Sequence, residues 1–91
     1  MPKASIAVVW ERIAAHAGEE FTTKTGLPFT YSLHGGSLTT SRTDYPLAKS
    51  DFAQALKDVP LDGPGRINDA VRGPAYIWAI LHDKRIRGSD W

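Results

Sequence analysis

The stretch that most constrains this chain lies near its end, where Gly73, Pro74, Ala75, Tyr76, Ile77, Trp78, Ala79, Ile80 and Leu81 follow one another. Its length and composition predict a short helix over 74–82, apolar on nearly every side. Tyr76 and Ile80 share one face, Ile77 and Leu81 the next, and Trp78 lies round the flank, so no polar stripe is left to turn to water. A helix of that kind needs neighbours on most of its surface, and the rest of the chain must supply them. Pro74 suits the first helical position, where its missing N–H would have had no partner.

The remaining sequence offers those neighbours in two periods. Ile6, Val9, Trp10, Ile13 and Ala17 fall on one face of a helix over 5–17, with Ser5 as N-cap and Gly18 as stop. The middle of the chain then changes to a period of two. Phe29, Tyr31 and Leu33 alternate with Thr30, Ser32 and His34, and the glycines at 35 and 36 supply a tight turn. With those two glycines as the loop, Leu33 falls opposite Leu38, Tyr31 opposite Thr40 and Phe29 opposite Arg42. A further strand is read over 20–25, which makes a three-stranded antiparallel meander with strands near 20–25, 29–34 and 37–42. Ser50 is placed to cap a helix with Phe52, Ala55, Leu56 and Val59 inward, ended by Pro60. A brief helix with Ile67, Ala70 and Val71 inward leads into the apolar helix.

These elements define an α+β fold: an N-terminal helix, a three-stranded meander, and three short helices with the apolar helix at the centre. The expected core is Trp10, Phe21, Tyr31, Leu33, Leu38, Phe52, Leu56, Ile77, Trp78 and Leu81. At 91 residues, with turn-rich connections too short to separate folded units, the chain is expected to form one domain over 1–91, its last residues 88–91 frayed unless Trp91 docks. There is no cysteine, so neither a disulfide framework nor a thiolate metal site is available, and a reducing, cytoplasmic setting is expected. No apolar run approaches the roughly 20 residues of a membrane helix, and no membrane role is expected.

Eleven basic against ten acidic residues leave a net charge of +1, so the chain is no polycation. Catalytic and metal signatures are thin. The histidines at 16, 34 and 82 form no two-ligand helical spacing, and His82 followed by Asp83 reads as a helix C-terminal pair, with a histidine cation at the negative end of the dipole. No cofactor, no metal and no enzymatic activity are expected. The richer signal is the outer face of the meander. There Thr22, Lys24, Thr30, Ser32, His34, Ser37, Thr39 and Ser41 make a carpet of short hydroxyls that another surface can approach closely. Arg42 and Lys49 flank it, and Lys84, Arg85 and Arg87 form a basic tail.

The succession strand, strand, strand, helix over 20–58 resembles, in topology, the sheet-and-helix DNA-binding domains of a class of plant regulators and the amino-terminal arm-binding domains of some tyrosine recombinases. The expectation is therefore a small non-catalytic nucleic-acid-binding module for duplex DNA. Its contacts would be Lys24, Thr30, Ser32, His34, Thr39 and Arg42 from the sheet, with Lys49, Lys84, Arg85 and Arg87 on phosphates. The alternative is a protein-interaction or oligomerisation module with a protein partner and no nucleic-acid role.

Overall fold

A computed structural model of the chain describes residues 5–67, 71, 73–88 and 90–91, apart from the side chain of Arg66. The elements in order are α1 (Ile6–Ala15), β1 (Phe21–Thr22), β2 (Pro28–Phe29), β3 (Tyr31–His34), β4 (Ser37–Thr40), β5 (Leu47–Ala48), α2 (Lys49–Leu56), a turn of 3-10 helix (Pro64–Ile67), α3 (Pro74–Leu81) and α4 (Lys84–Arg87). The fold is α+β, with an N-terminal helix, a three-stranded antiparallel meander β3–β4–β5 and short helices after it. None of its helices is long and apolar enough to cross a membrane, among the described residues.

The hairpin register follows the alternation of the sequence: Tyr31 pairs with Thr40, Leu33 with Leu38, and His34 with Ser37 across the turn, where Gly35 sits at φ +63°. The third strand of the meander differs from the expected one. Residues 20–25 do not join it. Instead β1 pairs with β2 in a separate two-stranded ladder, Phe21 opposite Phe29, and β5 takes the place beside β4 with Leu47 opposite Leu38. Phe29 is therefore partnered by Phe21, not by Arg42. The cause is aromatic packing. Phe21 lies 5.1 Å from Tyr31 and 6.2 Å from Phe29 between ring centroids, and Phe29 meets Tyr76 of α3 edge-on at 5.2 Å. The β1–β2 ladder thereby presents its aromatic side to the apolar helix, and Tyr31 of β3 joins it through Phe21.

Helix α3 is central, as its composition requires. Ile77, Ile80 and Leu81 are fully buried, Ala79 nearly so, and Pro74 occupies the first turn. Gly73 caps it at φ +63°, a conformation glycine adopts without strain. α1 buries Val9 and Ile13, and its half-buried Trp10 packs edge-on against Phe52 of α2 at 5.4 Å. Ser5 Oγ accepts the Val8 N–H at 3.4 Å as N-cap. Of the expected core, Trp10, Leu33 and Trp78 are half-buried at its margin, and the others are buried.

Helix α2 begins at Lys49, ahead of the expected cap at Ser50. Its N-cap is Ala48 with no side-chain bond, and the Lys49 N–H is satisfied by Gly36 C=O at 2.9 Å, so the hairpin turn does the capping. Ile67 and Val71 are buried as expected, while Ala70 and Arg72 lie outside the described residues. At the other end Trp91 is docked: its Nε1–H donates to Leu81 C=O at 2.8 Å.

Candidate functional site

The alternation that buries Tyr31, Leu38 and Thr40 turns Ser32, His34, Ser37 and Thr39 to the outer face of β3–β4. Ser32 and Thr39 are cross-strand partners, and His34 lies diagonally from Thr39, within reach of both hydroxyls. The three form a closed cluster. His34 Nε2 is 3.0 Å from Thr39 Oγ1 and 3.2 Å from Ser32 Oγ, and the two hydroxyl oxygens are 3.4 Å apart. Ser37 Oγ–H donates to His34 C=O at 3.2 Å. The hairpin is extended by one further pair, because Ser41 N–H donates to Thr30 C=O at 2.8 Å and Thr30 N–H donates to Ser41 Oγ at 3.1 Å.

Beside the cluster runs an open groove of about 330 Å³ lined by Gly18, Thr30, Tyr31, Ser32, Thr39, Thr40 and Ser41. Each hydroxyl carries one rotatable O–H and two lone pairs, so the face can donate or accept with small torsional changes. No carboxylate projects from its outward positions, which are Thr30, Ser32, His34, Ser37, Thr39, Ser41 and Ala48.

Two cations border this face. Lys49 starts α2 at the glycine-turn end, where its backbone is bonded to Gly36, and its ammonium has no hydrogen-bond or ion-pair partner among the described residues. Arg42 stands at the opposite end, held by a 2.6 Å bond from Nε–H to Pro28 C=O that leaves the rest of its guanidinium exposed.

The other cations named from the sequence lie elsewhere. Lys24 sits in the loop between β1 and β2 and is turned toward the connection after α2, where Nζ donates to Asp62 C=O at 2.7 Å. Arg85 is engaged within the fold. Its guanidinium grips Asp83 with two bonds of 2.8 and 2.9 Å, donates to Glu19 Oε1 at 3.0 Å and to Glu20 C=O at 2.8 Å, and stacks 3.8 Å from the Phe21 ring centroid. The pairing lowers the Asp83 pKa from its ordinary value. The Glu19 carboxyl is lowered as well, first by its hydrogen bond to His16 and then by Arg85, and Arg85 itself is raised. Arg87 donates from Nε and Nη2 to Trp91 C=O. Lys84 is exposed on α4, which packs against α1.

The structure thus brings together Ser32, His34 and Thr39, adds Thr30 beside them, and sets Arg42 and Lys49 at the two ends. It does not bring Lys24, Lys84, Arg85 and Arg87 to that face. Sequence reasoning missed a second polar arrangement, made by His82, Trp78 and the Leu61 backbone. His82 is not the helix-end cation expected. Leu61 N–H donates to its Nε2 at 2.9 Å, which requires a neutral ring. The available signal was the spacing of four between Trp78 and His82, which stacks two rings on one helix face. Comparison with protein-family models, with curated proteins and with solved structures finds no match to the chain.

Proposed function

We propose that this chain is a small non-catalytic nucleic-acid-binding module that lays the outer face of β3 and β4 on the backbone of a duplex. The observation that carries the reading is the composition of that face. It holds a connected patch of hydroxyls and one imidazole with no outward carboxylate, bordered by Arg42 and Lys49. Short donors with cations at either edge are the groups that contact phosphate and sugar in duplex complexes. A net charge of only +1 means that attraction must come from the local arrangement and not from the whole molecule.

The test is fluorescence anisotropy of a labelled mixed-sequence DNA duplex titrated with the protein over a range of salt. Two engaged cations predict a slope of log K on log salt of about −2. Arg42→Glu with Lys49→Glu is expected to abolish binding, whereas Lys84→Glu, off the face, leaves it unchanged. Absence of binding even at low salt overturns the reading, since non-specific attraction accompanies duplex recognition.

A further inference from the structure

Between α3 and the connection 57–63 lies a polar arrangement that the sheet face does not use. Trp78 and His82, one turn apart on α3, stack with ring centroids 4.8 Å apart and planes 14° from parallel. Both reach the same residue. Trp78 Nε1–H donates to Leu61 C=O at 3.0 Å, and Leu61 N–H donates to His82 Nε2 at 2.9 Å. A nitrogen that accepts an N–H carries no proton, so the imidazole proton sits on Nδ1, facing Trp78 C=O at 3.1 Å. The next residue is held as well: Lys24 Nζ donates to Asp62 C=O and lies 6.0 Å from the Trp78 ring centroid. Gly63 permits this approach, because a Cβ there would stand 2.8 Å from Lys24 Nζ.

We propose that this arrangement is an acid-released clamp. A proton taken from solvent by His82 Nε2 sets two N–H groups head to head and releases the Leu61 N–H, loosening the connection 57–63 from α3 while the core stays folded. The clamp is independent of the sheet reading, since none of its members lies on β3 or β4.

Among the described residues, the charged groups around the ring are Lys24 over Trp78, Asp62 on the connection, Arg87 of α4, and Asp83, whose carboxylate is turned to Arg85. Burial lowers the proton affinity of His82, the Trp78 carbonyl raises it, and Arg87 lowers it again; the net displacement is below the ordinary histidine value. With the folded pKa below the unfolded one, the unfolded chain takes the proton first. The contribution of the clamp to stability is therefore complete above about pH 6.5 and is lost as the pH falls below it.

The test is amide hydrogen exchange and proton–nitrogen correlation NMR on the whole chain from about pH 7.5 to about pH 5, across the histidine range. Protection of the Leu61 amide, corrected for the intrinsic rate, is expected to fall about tenfold, the equilibrium equivalent of one hydrogen bond. The Trp78 indole N–H should shift with the same midpoint as the His82 ring, while the amides of Leu38 and Ile80 keep their protection. His82→Gln, which keeps an uncharged acceptor, should hold Leu61 protected throughout. His82→Phe, which keeps the stack alone, should leave Leu61 open at every pH. Three results would each overturn the clamp: Leu61 protection unchanged while the His82 ring titrates, a ring that stays neutral across the range, or loss of core protection together with Leu61.

Discussion

Tyr31 shows how one side chain can join two parts of the chain. Its ring belongs to the aromatic group under α3, and its hydroxyl donates to Ile13 C=O at 2.5 Å, reaching the last turn of α1. Removing the hydroxyl takes away the shorter of two bonds to that carbonyl, which still accepts the His16 N–H at 3.3 Å, so Tyr31→Phe is expected to cost about 1 kcal/mol, read from denaturant unfolding. Burial also pushes the phenol pKa above its ordinary value of 10.0. The folded state then keeps a proton that the unfolded chain releases. Stability is full below about pH 10 and falls as the pH rises beyond it, and Tyr31→Phe should flatten that alkaline limb. The alternation of Phe29, Tyr31 and Leu33 makes the ring legible from sequence as a core group. The partner of its hydroxyl is not, since nothing local connects Tyr31 to a carbonyl eighteen positions away. His82 repeats the lesson. Its place at a helix end can be read from sequence, but whether it donates or accepts there is decided by Leu61, which arrives from a distant connection.

At the scale of elements, what was legible is what has a period. The spacing of Val9 and Ile13, the register of Leu33 on Leu38 and the all-round apolar character of 74–81 are each repeated over several residues, and each element forms. The two-residue strands have no period to read. β5 exists because Leu47 meets Leu38 and because the turn before it is tied by Thr40, whose Oγ1 lies 3.0 Å from Thr43 Oγ1 and accepts the Arg42 N–H at 3.2 Å. These contacts are tertiary in origin. The same applies to the candidate site: the Ser32, His34 and Thr39 cluster follows from the hairpin register, whereas the course of Lys24 depends on a connection nearly forty positions later.

Gly73 joins the legible and the illegible parts. It starts α3 at φ +63°, and a Cβ there would lie 2.7 Å from Leu47 Cδ2, between the apolar helix and β5. Gly73→Ala therefore combines left-handed strain with overpacking and is expected to cost about 2–4 kcal/mol. Gly35→Ala supplies the comparison. It has the same φ with nothing within 4 Å of the new methyl, so it should cost only the backbone share of about 1–2 kcal/mol. Thermal unfolding of the two variants separates the terms, and equal losses would show that Leu47 moves aside freely.

Over the whole molecule, α1 and the last described residues are drawn onto the same core. Arg12 of α1 donates to Ile86 C=O at 3.0 Å and pairs with Asp90 at 2.6 Å, Glu19 and Glu20 C=O receive Arg85, and Trp91 is bonded to Leu81. Much of the basic tail is thus spent on closing the fold, which removes two of its three cations from any outward role and leaves Lys84 exposed. The radius of gyration of 11.7 Å is close to the roughly 12 Å expected of a compact chain of this length. Three tryptophans report on three separate joints: Trp10 between α1 and α2, Trp78 between α3 and the connection, and Trp91 between the tail and α3. If the chain is one cooperative unit, variants retaining a single tryptophan, with phenylalanine at the other two positions, should each give a fluorescence transition in urea that coincides with loss of helical circular dichroism in that same variant. Their midpoints differ by the cost of each replacement, but within every variant the two probes must agree. The joint most exposed to failure is that of Trp91, because it rests on one indole bond and on pairs in the last few residues. A Trp91 signal lost at lower urea than the helices would divide the tail from the body, and would assign Arg12–Asp90 and Arg87–Trp91 to a locally opening segment rather than to the cooperative core.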